Sequence, residues 1–168
     1  MKITVSLSNI QAARDQLNEC QDWILEKTRE LAKELAKAGI QTAQNNVGVW
    51  GRYVEFLIET EETATGCIAT LIMRDTMEIV SKYDSRPVSG SLMAEFGAGK
   101  FAVDPTSSFP NSTIIAGRGT FPEQTHAFDP KGWSYRGNDD KWHHSYGVKP
   151  TRPMYKAYVR LQDVSAVK

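Results

Sequence analysis

Apolar residues return at every seventh position along the first third of the chain: Ile10, Leu17, Ile24, Leu31 and Ala38. Ala13, Cys20, Trp23 and Leu35 widen the stripe. Such spacing keeps one side of an α-helix apolar. Ser8, followed three positions on by Gln11, has the form of a capping box. The pattern therefore predicts one helix from Ser8 to about Gln44, roughly 35 residues or ~50 Å long at 1.5 Å per residue. Glu26 with Arg29, Glu30 with Lys33 and Glu34 with Lys37 are spaced to pair on its wet face. A repeat of seven also marks coiled coils. Lys27 and Glu34 occupy the second seam position, however, and spoil a two-stranded seam. The expectation is a helix laid across a sheet, with Gly39 weakening its last turns.

The pattern then changes period. Residues 52–59 are rich in β-formers, residues 59–63 (Glu-Thr-Glu-Glu-Thr) read as the turn, and residues 66–73 as the antiparallel return. A third strand or a short helix is expected over residues 77–83, and a short strand over residues 2–7 ahead of the helix. Residues 91–96 lead into a glycine turn. Residues 98–130, with Pro105, Pro110, Pro122 and Pro130, predict a long irregular loop. Residues 133–135 look like a short strand and 137–140 a turn. Thr151 can cap a last helix that has Pro153 in its first turn, runs to about residue 163, and buries Met154, Ala157, Tyr158 and Leu161. The fold class is α+β: a long N-terminal helix packed on a mainly antiparallel sheet, with a short C-terminal helix. Residues 1–168 suit one domain of sizeable core.

Charge adds little. Twenty basic and twenty acidic side chains cancel, so the whole molecule exerts no strong pull on nucleic acid or anionic membrane. Residues 1–80 hold 8 Lys/Arg against 12 Asp/Glu, and residues 81–168 hold 12 against 8, giving −4 and +4. Cys20 and Cys67 lack metal or redox spacing and read as free thiols of a cytosolic chain. No apolar run approaches the ~20 residues of a membrane span. The start, Met1-Lys2-Ile3-Thr4-Val5, lacks the apolar core of a signal peptide.

Candidate chemistry is sparse. His143 and His144, with His126, Asp139 and Asp140, are metal-ligand types, but adjacent histidines point apart on a regular element and no ligand spacing frames them. No Gly-x-Ser-x-Gly elbow occurs. The glycines of 97–99 and 117–119 lack the strand and helix context of a phosphate loop. Lys131, Arg136 and Lys141 interleave with Trp133, Tyr135 and Trp142, a pattern that can track a single strand. Asp139 and Asp140 cut the positive field there. No cofactor, metal site or catalytic residue is expected.

Two stretches carry a resemblance. The first is Glu95-Phe96-Gly97-Ala98-Gly99, where two glycines force a sharp turn after an acid–aromatic pair. The second is Gly147-Val148-Lys149-Pro150-Thr151-Arg152-Pro153-Met154, running to Ala157. In order, with the long leading helix and a Trp-bearing strand at Trp133, these resemble the head–tail joining (neck and tail-completion) proteins of tailed bacteriophages. Ala98 stands where that family's turn has threonine, and the 98–130 loop is longer than the resemblance suggests. The resemblance implies a non-enzymatic virion subunit, made in the bacterial host cytoplasm and placed at the head–tail junction. It implies a homo-oligomeric ring meeting portal, connector or tail-tube proteins, with DNA passing through without sequence-specific contact and no membrane partner. Glu95, Phe96, Gly97, Gly99, Trp133, Pro150, Arg152, Pro153 and Met154 are its candidate turn and interaction residues. Two other readings stay open: a phage-encoded metal-dependent hydrolase using His143 or His144, and a small nucleic-acid-binding module built on residues 133–142.

Overall fold

The computed structural model describes residues 7–109 and 130–166. The fold is α+β. Helix α1 spans Leu7–Asn46 and a 3-10 turn Gly48–Arg52. Strands β1 (Val54–Thr63) and β2 (Gly66–Asp75) follow, then β3 (Ile79–Ser81) and β4 (Asp84–Val88). Next come α2 (Gly90–Phe96), β5 (Ala98–Gly99) and the one-turn α3 (Pro105–Ser108). Strands β6 (Trp133–Arg136), β7 (Trp142–Ser145) and β8 (Gly147–Val148) precede α4 (Pro153–Ala166). The strands pair two by two: β1 with β2, β3 with β4, β5 with β8, and β6 with β7. One expected meander is thus replaced by four separate ribbons.

By internal contacts the chain groups into two compact units, Met1–Lys37 with Ile58–Thr70, and Ala38–Leu57 with Leu71–Lys168. In the first, α1 meets the tip of the β1–β2 hairpin. The Arg29 guanidinium reaches Glu62 at 3.2 Å, and a Cβ on Gly66 would lie 3.6 Å from the Thr28 methyl. Arg29 is therefore engaged across elements and not with Glu26. The pairs along the helix are Lys27 with Glu30 and Lys37 with Glu34. The seven-residue stripe does not lie against a sheet: Ile10, Leu17, Trp23, Ile24 and Leu31 are all exposed.

The second unit holds most of the core. Ala43, Val47, Val54, Ala94, Phe96, Ala98 and Ala157 are buried, and Pro153 is enclosed with them. Small side chains let backbones approach closely, and Gly39 shows how closely. A Cβ there would come 2.7 Å from Leu71 Cδ2 and 3.1 Å from Leu161 Cδ1. What the sequence suggests is a weak point in α1 is the place where β2 and α4 pack against it. Lys156 Nζ donates to Asn46 Oδ1 at 3.0 Å, tying α4 to the end of α1.

Several boundaries differ from the sequence expectation. The acidic run 59–63 continues β1, and the turn falls on Ala64 and Thr65. Strand β4 contains Pro87, which reads as a strand breaker. In a two-stranded ribbon every strand is an edge, where proline is tolerated. Residues 91–96 form a helix because Ser89 caps it, accepting from Leu92 N at 3.1 Å. Asp75 accepts from Ser89 Oγ at 2.7 Å and from Ser91 N at 2.6 Å. Of the expected loop, residues 98–99 are strand and 105–108 helix. Residues 110–129, with His126, lie outside the described residues, as do residues 2–6 of the expected first strand.

Candidate functional site

The two stretches separated by about fifty residues meet. Ala98 pairs with Val148 and Gly99 with Gly147 in the β5–β8 ribbon. The meeting is forced by backbone geometry at Gly97, which ends α2 with φ +70° and donates its N–H to Met93 O at 3.0 Å. A side chain there would be strained in itself. It would also collide with Val148 O and come within 2.7 Å of Pro150 Cδ. At Gly99 the approach is equally tight: a Cβ would lie 2.8 Å from both the Trp133 ring and Gly147 Cα. Trp133 is thereby seated on the ribbon.

The last turn of α2 then grips the start of α4. Ala94 O accepts from Thr151 N at 2.8 Å and from Arg152 N at 3.0 Å. The Glu95 carboxylate accepts from Met154 N at 2.8 Å and Tyr155 N at 2.9 Å, one amide to each oxygen. These amides belong to the first turn of α4, whose donors have no partner inside the helix. A negative charge there also complements the helix dipole. Among the described residues Glu95 is the charged side chain that is buried, 3% exposed. Burial pushes its carboxyl above the ordinary glutamate range, while the two amides and the charges of Arg152 and Lys156 oppose that shift without cancelling it.

The expected cap, Thr151, serves elsewhere: its hydroxyl lies 3.3 Å from both Val47 O and Ala94 O. A carboxylate fifty-six positions upstream caps the helix in its place. Arg152 takes φ +56°, a left-handed geometry uncommon for a residue with a side chain. Its guanidinium lies over the Tyr155 ring, 3.8 Å from the centroid. Phe96, also 3% exposed, meets Phe109 edge-on at 6.4 Å. Phe109 in turn contacts the rings of Tyr155 at 6.3 Å and Tyr158 at 6.1 Å. Glu95, Phe96, Gly97, Gly99, Trp133, Pro150, Arg152, Pro153 and Met154 thus occupy one neighbourhood. The sequence shows the residues but not the link, because a carboxylate capping a helix this far downstream has no local spacing signature. Ala94 O and Asp75 escape sequence reasoning for the same reason.

The β6–β7 hairpin adjoins this frame. Trp133 faces Ser145, Ser134 faces His144, Tyr135 faces His143 and Arg136 faces Trp142. Neighbouring residues on a strand point to opposite faces, and the two histidines are engaged separately. His143 Nε2 lies 2.8 Å from Asp139 Oδ1, and its ring stacks on Tyr135 at 5.5 Å. His144 Nε2 lies 2.7 Å from Lys131 O, which can only accept, and His144 Nδ1 lies 3.3 Å from Ser134 Oγ. Those partners select the tautomer protonated on Nε2. The hydrogen bond from His143 holds the Asp139 carboxyl below its ordinary range, helped by the Lys141 amide. Among the described residues no three His, Cys, Asp or Glu side chains converge to hold a metal ion. The hairpin's outer surface is aromatic and cationic: Trp142 is 75% exposed, and Arg136 lies over the Tyr83 ring at 4.7 Å.

The carboxylate at the centre of this geometry is aimed at a helix end. What the arrangement does is hold two chain segments rigidly and present a hairpin from them. No protein-family model, curated protein or solved structure matches the chain.

Proposed function

We propose that the protein is a structural assembly subunit that joins head to tail in a tailed bacteriophage, as a neck or tail-completion protein. The observation that carries this reading is the union of residues 95–99 with residues 147–155 into one latch. The two stretches that bear the resemblance behave as halves of a single device, and a chance pair of short motifs has no reason to be in contact. The subunit acts as a homo-oligomeric ring at the head–tail junction, against portal, connector or tail-tube proteins, and DNA passes without being read. Ring closure needs two different patches on each copy. The β6–β7 hairpin, with the exposed Trp142 beside Arg136 on one of its faces, supplies one of them, since exposed aromatic residues are enriched at protein contacts. Among the described residues no helix is long and apolar enough to cross a membrane, which suits an assembly partner made of protein.

The test is compositional and visual. Purified virions should contain the polypeptide at a ring-like copy number, and electron microscopy of the protein with tails should place a ring at their head-proximal end. Virions lacking the polypeptide, or a preparation that turns over a substrate, would overturn the reading.

A further inference from the structure

The first unit carries an apolar face that the described residues leave open. Ile10, Leu17, Ile24 and Leu31, with Trp23 beside them, are between 52% and 71% exposed. The four aliphatic residues lie along one side of α1 with Trp23 flanking them, more than a third of a turn round from the side that carries Arg29 and the buried Ala36, by 100° per residue. We propose that this face pairs with the same helix of a second copy, the two running antiparallel. The inference stands apart from the proposed function, because the face needs covering whatever the protein joins.

Four observations select this occupant. The spacing is seven residues throughout, and a straight helix drifts about 20° per heptad against such a repeat. It therefore stays in contact with a partner helix that winds round it, and less well with a flat groove. The partner must match the stripe in length and pattern, and α1 itself is such a helix. The uncovered apolar side chains amount to roughly 500 Å² per copy, so pairing buries about 1,000 Å² in total, the size at which specific contacts begin. Residues 7–31 carry Arg14, Lys27 and Arg29 against Asp15, Glu19, Asp22, Glu26 and Glu30, a balance that favours neither an anionic membrane nor nucleic acid.

Direction follows from the two residues that spoil the seam. Parallel, in-register pairing would set each Lys27 against its counterpart and each Glu34 against its counterpart, which costs energy. Antiparallel pairing centred near Asp22 sets Lys27 opposite Leu17 and Glu34 opposite Ile10, and brings Cys20 beside Ile24.

Sedimentation equilibrium of the full chain tests this. The wild type should show twice the chain mass at micromolar concentration, and Leu17→Glu with Ile24→Glu should return it to the chain mass with unchanged helical circular dichroism. Both positions are exposed, so the substitutions leave folding intact. For direction, Leu17→Cys with Lys27→Cys in a Cys20→Ser, Cys67→Ser background should oxidise to a covalent dimer. Cys20 of the wild type should not link to its counterpart, from which the offset is about 6 Å along the axis. A monomeric wild type, a dimer indifferent to both glutamates, or a ready Cys20 disulfide would overturn the proposal.

Discussion

Helix α1 between Ile10 and Leu31 and the latch at residues 94–99 both read from sequence as apolar stretches, yet only one is covered. At the latch, Phe96 is sealed by Phe109 and the neighbouring Glu95 by the first turn of α4. Along α1, Leu17 stands in the open. Periodicity reports that a face exists and which way it points. It does not report who covers it, because the covering partner need not belong to the same chain. The latch differs because it is built from backbone constraints, positive φ, a fixed proline and orphan amides, which the chain must satisfy within itself.

The largest test of that contrast is Phe96→Ala. Removing a buried aromatic costs about 3–5 kcal/mol, and chemical denaturation should show a loss of that size. An unchanged midpoint would mean that Phe96 is not core. Gly97→Ala comes next: left-handed geometry costs an L-residue roughly 1–2 kcal/mol, and the collision with Val148 and Pro150 adds to it. The expected loss is therefore at least about 2 kcal/mol, read in the same experiment.

Glu95→Gln is smaller and depends on pH. The folded carboxyl titrates above the unfolded one, so in the window between the two values the folded state binds more protons. The Glu95 contribution to stability thus falls as pH rises through that window and is level on either side of it. Wild type minus Glu95→Gln should show that downward slope in acid. A difference that rises with pH would contradict the shift. The smallest effect belongs to the open face: Leu17→Ser, measured where the protein is dilute enough not to self-associate, should change stability by under about 0.5 kcal/mol.

How much of this was legible in the sequence follows the same division. Helix α1, the β1–β2 hairpin, the Trp133 strand and α4 are set by local pattern and stand close to where the pattern puts them. The capping of α2 was also written locally, in Ser89 ahead of Leu92, and hidden by a glycine at the first helical position. Strand β4 carries Pro87, which a ribbon that is all edge tolerates. The candidate residues could be named one by one from their glycines and prolines. Their meeting could not, since the Glu95 carboxylate reaches Met154 across fifty-nine positions and no repeat or spacing encodes that contact. The stripe on α1 shows the opposite: the pattern was plain, yet α1 meets the β1–β2 hairpin through Arg29 and leaves the stripe in the open.

The latch itself is tested most directly by following the amide resonances of Met154 and Tyr155 through an acid titration by NMR. The account predicts that both move together with one midpoint above the ordinary glutamate range, and that the movement vanishes in Glu95→Gln. Amides that stay still, or that titrate unchanged in the variant, would show that the carboxylate of Glu95 does not hold the final helix.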